Sequence, residues 1–436
     1  MLYDIMILGG GASGLLAACA LSDGDRRVVI LEKQARVGRT LLSTGNGRCN
    51  LTNRNAKPSD YHGSRQAAQF ALKTWGPERI EGYFARLGIP CIADGEGRVY
   101  PMSRQAASVL DALRLKCDEC GVVTLTDFPV SKLSRMREGF EATASDGKRV
   151  AARCALVCTG GLAAPKLGAS GEGYRILEGF GHAITPRFPA IAALKTTPEP
   201  VRGLKGIRAE GEIALLWGGD FVRAESGELL FAESGISGIA AMQLSRQVNE
   251  ALRAGKKCAV RLNLTPSPVS VSDRARALRK RSMEDFLNGI VPKRLGQVLV
   301  KAAGIDPARA AGTLDGAEIA RLEGLLTGWT IPVTGTQDFD QAQVTAGGAS
   351  LKDFDIRSLR SLKAPGRFAA GEVLDVDGDC GGFNLQWAWS SALIAARGIE
   401  DYLTEVAPGR FDFHSSGSRW TTTGCPLNAL RRGRCA

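Results

Sequence analysis

The sequence is poor in histidine and aromatic residues and has no long apolar run. Its three histidines are His62, His182 and His414, and aromatic residues make up 6% of the 436 positions. No apolar run approaches the roughly 20 residues that a membrane-spanning helix requires, so we predict no membrane anchor. Cys117 and Cys120 have metal-ligand spacing, but no second such pair accompanies them, so we predict no metal site.

Acidic residues are also in deficit. Lysine and arginine number 56 against 45 aspartates and glutamates, and the resulting net charge of +11 is compatible with an anionic partner. The basic residues are dispersed and no strip of aromatic residues accompanies them, so we do not expect nucleic acid as the partner. The odd number of cysteines, 11, and a start without a basic segment indicate reduced thiols and a cytoplasmic protein.

Glycine, in contrast, is abundant, with 53 residues, and several form a motif near the start of the chain. A short apolar segment, residues 3–8, is followed by glycines in the spacing G-x-G-x-x-G and then by a helical run. Between a strand and a helix, this spacing is typical of a dinucleotide-binding turn whose glycines admit a pyrophosphate. The predicted cofactor contacts of this turn are Gly9, Gly11, Ala12, Ser13 and Gly14.

A carboxylate follows at the distance expected for a ribose ligand. The next predicted strand, residues 27–31, ends in Glu32, about 20 residues past Gly11, where an acid accepts hydrogen bonds from an adenosine ribose. Lys33 and Arg39 come next and are further candidate cofactor contacts. A glycine–arginine segment at this place resembles the lining of the FAD pyrophosphate in flavoproteins with two dinucleotide-binding domains.

A donor-rich loop continues over residues 45–53, with the sequence GNGRCNLTN. Its small residues and many hydrogen-bond donors suit a loop that lies against a flat polar ring. The segment resembles the aminoacetone oxidase-like flavoproteins, also called the BaiN-like NAD(P)/FAD-dependent oxidoreductases. The resemblance implies a wall facing the flavin, with Asn46 as a cofactor contact and Arg48, Cys49 and Asn50 as candidate catalytic residues. No second cysteine lies close to Cys49 in the sequence, so a dithiol reductase is excluded.

A second segment of the same family's pattern lies far downstream. A predicted strand ending at residue 371 leads through GEVLDVDGDCGGFNLQ, residues 371–386, into a helix from Trp387. The resemblance implies that an acid here binds ribityl hydroxyls and that the glycine-opened helix directs its N-terminus at the flavin. At most one of Trp387 and Trp389 is expected to face the flavin. The implied cofactor contacts are Thr159 and Gly160, after a strand over 150–157, and Gly371, Glu372, Asp377, Gly382, Phe383 and Asn384.

The predicted fold class is α/β: a Rossmann-type FAD-binding domain with a β-meander, interrupted by an inserted substrate domain. A length of 436 residues accommodates about three folding units. The FAD-binding domain is predicted over 1–190 and 339–405. The insert is predicted over 191–338, β-rich at 191–265 and helical at 272–326. Residues 406–436 form a basic tail with little periodicity, predicted to be disordered.

The predicted function is that of an FAD-dependent oxidoreductase that transfers a hydride between flavin N5 and a small organic substrate. Arg48 is the candidate for binding a substrate anion or a flavin carbonyl. A single dinucleotide fingerprint is present, so NAD(P)H, as a reductant, has to visit the substrate face transiently. Fold analogy does not decide between an oxidase and a reductase. A flavoprotein that acts on or binds RNA and a non-catalytic flavin sensor stay open as alternatives, and the oligomeric state stays undetermined.

Overall fold

The computed structural model describes residues 2–22, 26–265, 267 and 269–406. The basic tail predicted over 406–436 lies outside the described residues, except for Val406. Among the described residues, no helix is both long and apolar enough to cross a bilayer.

The part of the chain before residue 191 alternates strands with short helices. Its strands are β1 (Leu2–Leu8), β2 (Val28–Leu31), β3 (Thr52–Asn53), β4 (Tyr61–Gly63), β5 (Cys91–Ala93), β6 (Arg98–Pro101), β7 (Val123–Leu125), β8 (Val130–Met136), β9 (Gly139–Ala144), β10 (Arg149–Val157) and β11 (Phe188–Ala190). Its helices are α1 (Ala12–Leu21), α2 (Arg39–Ser43), α3 (Arg65–Thr74), α4 (Pro77–Arg86), α5 (Ala106–Glu119) and α6 (Glu172–Glu178).

The middle of the chain forms a barrel with helices attached. Its strands are β12 (Leu194–Thr196), β13 (Arg208–Trp217), β14 (Asp220–Ala232), β15 (Gly235–Ser237), β16 (Cys258–Asn263) and β17 (Trp329–Thr336). Its helices are α7 (Pro198–Val201), α8 (Ile239–Gln243), α9 (Ser245–Arg253), α10 (Val271–Ala277), α11 (Met283–Phe286), α12 (Lys293–Ala302) and α13 (Gly316–Gly328). The strands close in the order β12-β15-β14-β13-β16-β17 around a core of their own, distinct from that of the main sheet.

The last part of the chain returns to the first. It contains β18 (Val344–Ala346), β19 (Phe354–Asp355), β20 (Arg360–Ser361), β21 (Arg367–Ala369), β22 (Val376–Gly378) and the long helix α14 (Phe383–Glu405). Strand β21 pairs in parallel with β10, and α14 packs against α1. Residues from both ends of the chain therefore build a single hydrophobic core.

The main sheet has the order β19-β20-β21-β10-β1-β2-β7, and β8 and β9 extend from β10 as an antiparallel meander. Residues Ile5–Leu8 of β1 are at most 1% exposed because parallel neighbours flank them and helices cover the sheet. The chain leaves β1 towards β2 on one side, while β10 and β21 lie on the other. Such a reversal opens a crevice at the carboxyl ends of β1 and β10. The predicted Rossmann-type fold with a β-rich insert is confirmed.

Candidate cofactor site and active site

The first glycine turn lies at this crevice, at the carboxyl end of β1. Gly9 has a φ of +103°, which glycine adopts without strain. A Cβ on Gly14 would lie 2.0 Å from the carbonyl oxygen of Gly9, so Gly14 permits the close packing of α1 on β1. A Cβ on Gly11 would meet only Thr40 Oγ1, at 3.8 Å. Open space therefore lies in front of Gly11, as the approach of a pyrophosphate requires.

The second glycine segment meets the first turn directly. Gly371 follows β21 with a φ of +79°, and a Cβ on it would lie 2.6 Å from Ser13 Oγ. Ala12 and Ser13 form the first turn of α1, and no side chain of the described residues caps this helix. Its first N–H groups are therefore free to bind an anion. The predicted contacts at Ala12, Ser13 and Gly371 thus lie at one edge of the sheet.

Glu32, at the end of the second strand, is bound to the glycine turn. Its Oε2 accepts a hydrogen bond from the N–H of Gly10 and its Oε1 one from the N–H of Gln34, both at 2.8 Å. A carboxylate has about four lone-pair sites, so these two bonds leave acceptor capacity for ribose hydroxyls. The carboxylate fixes the turn whether or not a ribose is present.

Lys33 and Arg39 make contacts with the segment that leads into α6. Lys33 forms an ion pair with Glu172, with 3.2 Å between Nζ and Oε2. Arg39 donates a hydrogen bond to the carbonyl oxygen of Lys166 at 3.3 Å and another to Gln34. These contacts join the two sides of the crevice outside its glycines, and a role in cofactor binding stays a prediction for both residues.

Thr159 and Gly160 follow β10, between the two glycine segments. A Cβ on Gly160 would meet no atom within 4 Å, so its surroundings are open. The hydroxyl of Thr159 is instead buried against Gly173, with no hydrogen-bond partner among the described residues. Glu372 accepts a hydrogen bond from the N–H of Thr345 at 2.8 Å, and burial raises the pKa of its carboxyl group.

The GNGRCNLTN loop is joined to the start of α14. With the Asn50 amide oriented so that both of its ends are satisfied, its oxygen accepts a hydrogen bond from the N–H of Gly382 at 3.1 Å and its nitrogen donates to the carbonyl oxygen of Thr52 at 3.0 Å. Asn53 donates to the carbonyl oxygen of Gly381 at 3.0 Å. The loop and the opening of the helix therefore form one surface. Each end of the Asn50 amide makes one of these bonds, so Asn50 positions the helix, and a catalytic role stays a prediction.

Two side chains of the loop are exposed, those of Asn46 and Arg48. Asn46 has a φ of +54°, which is sparsely populated by residues other than glycine, and such strain clusters at functional sites. Arg48 has no ion pair among the described residues, so its guanidinium is free to bind a substrate or a cofactor oxygen.

Cys49 does not fit the role of an active thiol. The residue is 0% exposed and belongs to the main hydrophobic core, although it lies between the exposed Arg48 and the half-buried Asn50. Burial raises the pKa of its thiol to about 12, and a contact with Thr44 opposes this only partly. At neutral pH the group is a neutral thiol inside the core, so the prediction of a catalytic Cys49 is corrected.

Two other predicted cofactor contacts are occupied by protein partners. Asp377 is 1% exposed and forms an ion pair with Arg246 of the insert. Asn384 accepts a hydrogen bond from the N–H of Gly378 and donates to its carbonyl oxygen, both at 2.8 Å, which fixes the loop before α14. The side chains of Asp377 and Asn384 therefore shape the loop instead of facing a ribityl chain. Phe383 packs edge-on against Tyr61, with 6.2 Å between ring centroids.

The two tryptophans of α14 both point inwards. Trp387 is 3% exposed and donates a hydrogen bond from Nε1 to the carbonyl oxygen of Gly371 at 3.1 Å. Trp389 is fully buried and donates to the carbonyl oxygen of Leu51 at 3.0 Å. The burial of both side chains is compatible with the expectation that at most one of them faces the flavin. They bind α14 to the second glycine segment and to the loop.

The insert holds the loop before α14 through contacts that the sequence did not reveal. Arg223 binds Asp379, with 2.7 Å between Nη2 and Oδ2, and His62 Nε2 lies 3.1 Å from the other oxygen of the same carboxylate. Burial by itself would raise the pKa of Asp379, but these two partners hold it below its ordinary value. Gln243 accepts a hydrogen bond from the N–H of Cys380 at 2.6 Å. The only sign of cationic partners in the sequence is the series of aspartates at positions 375, 377 and 379.

This arrangement fits FAD. The open space at Gly11, the uncapped start of α1 and the acceptor Glu32 suit an adenosine diphosphate moiety. The surface made by the GNGRCNLTN loop and the start of α14 offers polar groups and a helix N-terminus to a ring that becomes negative on reduction. The first and second glycine segments touch, so these two regions adjoin at the carboxyl edge of the main sheet.

Comparisons with known proteins agree with this geometry. The chain matches the family model of the HI0933-like protein Rossmann domain over residues 3–398. The 3-dehydro-bile acid delta(4,6)-reductase of Clostridium scindens is 37% identical over 403 residues, which cover 90% of this chain and 98% of the relative. The ribosomal RNA dihydrouridine synthase of Escherichia coli is 29% identical over 404 residues, which cover 91% of this chain and 98% of the relative.

One solved structure shares the fold over almost the whole of both chains. The 3-ketosteroid delta1-dehydrogenase of Sterolibacterium denitrificans has a TM-score of 0.52 and 13% identity, and the match covers 92% of this chain and 99% of that one. The family model matches almost the whole chain, and the bile acid reductase, covered over 98% of its length, is more than 30% identical to it. The chain belongs to the HI0933-like family of Rossmann-fold flavoproteins and is an FAD-dependent oxidoreductase.

Proposed function

We propose that this protein reduces a carbon–carbon double bond conjugated to a carbonyl group in a small organic molecule, with NAD(P)H as the reductant. The two kinds of relative are named for different substrates, but their reactions share this chemistry. A delta-4 double bond beside a 3-oxo group is conjugated to it, and so is the 5,6 double bond of uracil to its 4-carbonyl. Both accept a hydride at the carbon remote from the carbonyl.

The observation that carries the proposal is the exposed Arg48 on the loop that adjoins the start of α14. A cofactor that supplies a hydride leaves the protein to orient the substrate and stabilise charge, and no protein nucleophile is required. Cys49, the thiol next to Arg48 in the sequence, is buried in the core and cannot act as a nucleophile. The guanidinium of Arg48 is a suitable donor to a carbonyl oxygen on which negative charge develops.

A second candidate is the same reduction on a uracil of ribosomal RNA, favoured by the 29% identical relative from Escherichia coli. We favour a small-molecule substrate because the relative with the higher identity, 37%, is a bile acid reductase. The dispersed basic residues also offer no evident strip for a nucleic acid.

The test is an anaerobic two-step experiment on the purified FAD-loaded protein. NADH or NADPH is added first, and bleaching of the visible flavin absorbance is followed. 2-Cyclohexen-1-one, a 3-oxo-delta4 steroid or ribosomal RNA is then added to the reduced protein. We expect rapid return of the absorbance with the conjugated ketones and none with cyclohexanone, the saturated control. Return with RNA alone favours the second candidate, and a flavin that none of these acceptors reoxidises contradicts the proposal.

A further inference from the structure

Tyr100 lies beside the surface to which the substrate is assigned, on a strand that pairs with it. Strand β6 contains Tyr100 and pairs antiparallel with β3, through Thr52 and Val99. The N–H of Leu51 also donates to the carbonyl oxygen of Val99 at 2.8 Å. Side chains alternate along β6, so Val99 is buried whereas Tyr100 and Arg98 are partly exposed on the other face. Tyr100 is therefore one strand away from the loop that adjoins the start of α14.

The surroundings of Tyr100 are cationic. The Cζ of Arg104 lies 5.9 Å from the ring centroid of Tyr100. Arg104 has a φ of +50°, and its N–H donates to the carbonyl oxygen of Pro101 at 2.8 Å, so a tight turn folds it back over the ring. A residue other than glycine held in this region carries backbone strain and persists where the surrounding structure imposes it. Arg48 is also close enough to act on the phenol electrostatically.

The phenol is protonated but held among charges that favour its ionised form. Burial raises the pKa of Tyr100, and the charges of Arg98, Arg48 and Arg104 oppose that rise, while Asp94 adds to it. Arg98 is itself paired with Asp94, at 2.7 Å, and with Glu96, at 2.9 Å. Arg48 and Arg104 form no ion pairs with any of the described residues. Of the three arginines near the phenol, these two therefore have charges that no carboxylate neutralises.

The hydroxyl of Tyr100 is also unengaged. It makes no hydrogen bond with any of the described residues. Tyr61, the other tyrosine near the start of α14, is 1% exposed and donates its hydroxyl proton to the carbonyl oxygen of Phe383 at 3.1 Å. Tyr61 therefore has no proton to give to a substrate, whereas Tyr100 does.

We propose that Tyr100 is the proton donor of the reaction, assisted by Arg48 and Arg104, an inference that rests on the function proposed above. FAD, when bound and reduced by NAD(P)H, supplies a hydride for the carbon remote from the carbonyl. The O–H bond of Tyr100 breaks as its proton forms the new C–H bond at the carbon next to the carbonyl. The electron pair of the former double bond enters that C–H bond, Arg48 and Arg104 stabilise the tyrosinate, and water then reprotonates it.

The test compares Tyr100→Phe with the wild type and with a matched control. Tyr402→Phe is that control, because Arg360 lies over the ring of Tyr402 at the same 5.9 Å, far from the site. General acids contribute about 10²–10⁴-fold, so we expect Tyr100→Phe to lower kcat with 2-cyclohexen-1-one at least about a hundredfold. Reduction of the flavin by NAD(P)H and the FAD content should stay unchanged. Tyr402→Phe should retain the wild-type kcat.

Two further readouts separate a proton donor from a structural residue. The wild-type kcat should fall at alkaline pH as Tyr100 ionises, and this fall should be absent from the residual activity of Tyr100→Phe. Without any substrate, the absorbance of tyrosinate should show one tyrosine fewer titrating in Tyr100→Phe. In Arg104→Gln, that tyrosine should titrate at higher pH because a favourable charge is removed.

An active Tyr100→Phe with the wild-type pH profile overturns the proposal, and so does loss of FAD from that variant or an unchanged titration in Arg104→Gln. A wild-type protein that reduces no conjugated carbonyl compound instead shows that the proposed function itself is wrong, and the role of Tyr100 falls with it. If the wild type is active and Tyr100→Phe is equally active, the proposed function stands and only the role of Tyr100 as proton donor is rejected.

Discussion

The indole nitrogen of Trp389 donates a hydrogen bond to the carbonyl oxygen of Leu51 at 3.0 Å. Helix α14 is thereby fastened, from inside the core, to the loop that carries Asn46 and Arg48. The geometry of the surface predicted to face the flavin thus depends on a buried contact between α14 and the loop.

Replacing Trp389 by phenylalanine should therefore weaken both the fold and the site. The carbonyl oxygen of Leu51 would be left buried without its donor, at a cost of about 1–3 kcal/mol in the free energy of unfolding. We expect FAD affinity to fall as well, because the loop loses its attachment. Denaturant unfolding of the apoprotein and titration with FAD measure the two effects.

Trp217→Phe is the matched control for this change. Trp217 Nε1 is buried without a hydrogen-bond partner among the described residues, so its removal breaks no hydrogen bond. The free energy of unfolding should change by less than that of Trp389→Phe, and FAD affinity should not change. Equal effects of the two substitutions would show that lost indole volume, and not the bond to Leu51, matters.

Arg367 is buried, and it forms no ion pair with any acidic residue in the described part of the chain. It is 0% exposed, its Nε and Nη1 have no hydrogen-bond partner among the described residues, and its Cζ lies 3.5 Å from the ring centroid of Phe180. Burial lowers its pKa to about 9, so it is still charged at pH 7. Arg367→Met should raise the free energy of unfolding by about 1–4 kcal/mol, since methionine packs on an aromatic ring without the desolvation cost.

The opposite result is expected at Arg246, whose partner Asp377 is equally buried. Arg246→Met leaves that carboxylate without a counterion and should cost about 3–5 kcal/mol. Denaturant unfolding of both variants at pH 7 compares them. Destabilisation by Arg367→Met would mean that the guanidinium has a partner inside the protein that compensates its charge.

His182 should make the protein sensitive to acid. Ser361 Oγ accepts hydrogen bonds from two backbone N–H groups and therefore donates to His182 Nε2, at 2.8 Å, while His182 Nδ1 donates to the carbonyl oxygen of Leu177 at 3.0 Å. This is a neutral imidazole. Burial, and then the charge of Arg367, lowers its pKa below the ordinary value of 6.5.

The free energy of unfolding should decrease as the pH falls. Above the ordinary pKa of histidine, neither the folded nor the unfolded chain is protonated at this residue. As the pH falls below about 6.5, the unfolded chain takes up a proton that the folded chain refuses, so stability is lost. His182→Gln should show a shallower loss between about pH 7 and pH 5. Parallel curves for the two proteins would place the acid sensitivity elsewhere.

Cys49 should be inert despite its place in the GNGRCNLTN loop. Its thiol is buried and its pKa is raised to about 12, whereas Cys120 is half-buried near the end of α5. In the native protein at pH 8, iodoacetamide should modify Cys120 well before Cys49, as mass spectrometry of peptides would show. Cys49→Ala should keep kcat within about twofold. Rapid alkylation of Cys49, or a large loss of kcat in Cys49→Ala, would show that Cys49 is a catalytic thiol.

The parts of the site that follow from local sequence were predictable. The strand, the glycine turn, the helix and Glu32 all lie within residues 2–32, and neighbouring residues determine their conformations. The requirement for glycine at position 14, set by the carbonyl oxygen of Gly9, is part of the same local pattern. The second segment was found through its resemblance to a family, because nothing local relates residue 371 to residue 13.

The parts that depend on distant partners were not predictable. Asp377 and Asn384 look like cofactor contacts until Arg246 and the loop at Gly378 are placed beside them. Cys49 looks exposed among polar neighbours, but the left-handed conformation of its backbone, with a φ of +57°, turns it into the core. Such pairings arise only when the insert and the last segment pack on the main sheet.

The most direct test of FAD binding at the first glycine turn is the FAD content of Gly11→Ala. The added methyl group meets only Thr40 Oγ1, at 3.8 Å, and the φ of −83° at Gly11 suits alanine, so the apoprotein should fold with an unchanged Tm. Gly324→Ala, on helix α13 with no atom within 4 Å of the added methyl group, is the control. We expect denatured wild-type and Gly324→Ala proteins to release FAD, and Gly11→Ala to bind FAD at least about tenfold more weakly. Wild-type FAD affinity in a folded Gly11→Ala protein would contradict a cofactor lying against this turn.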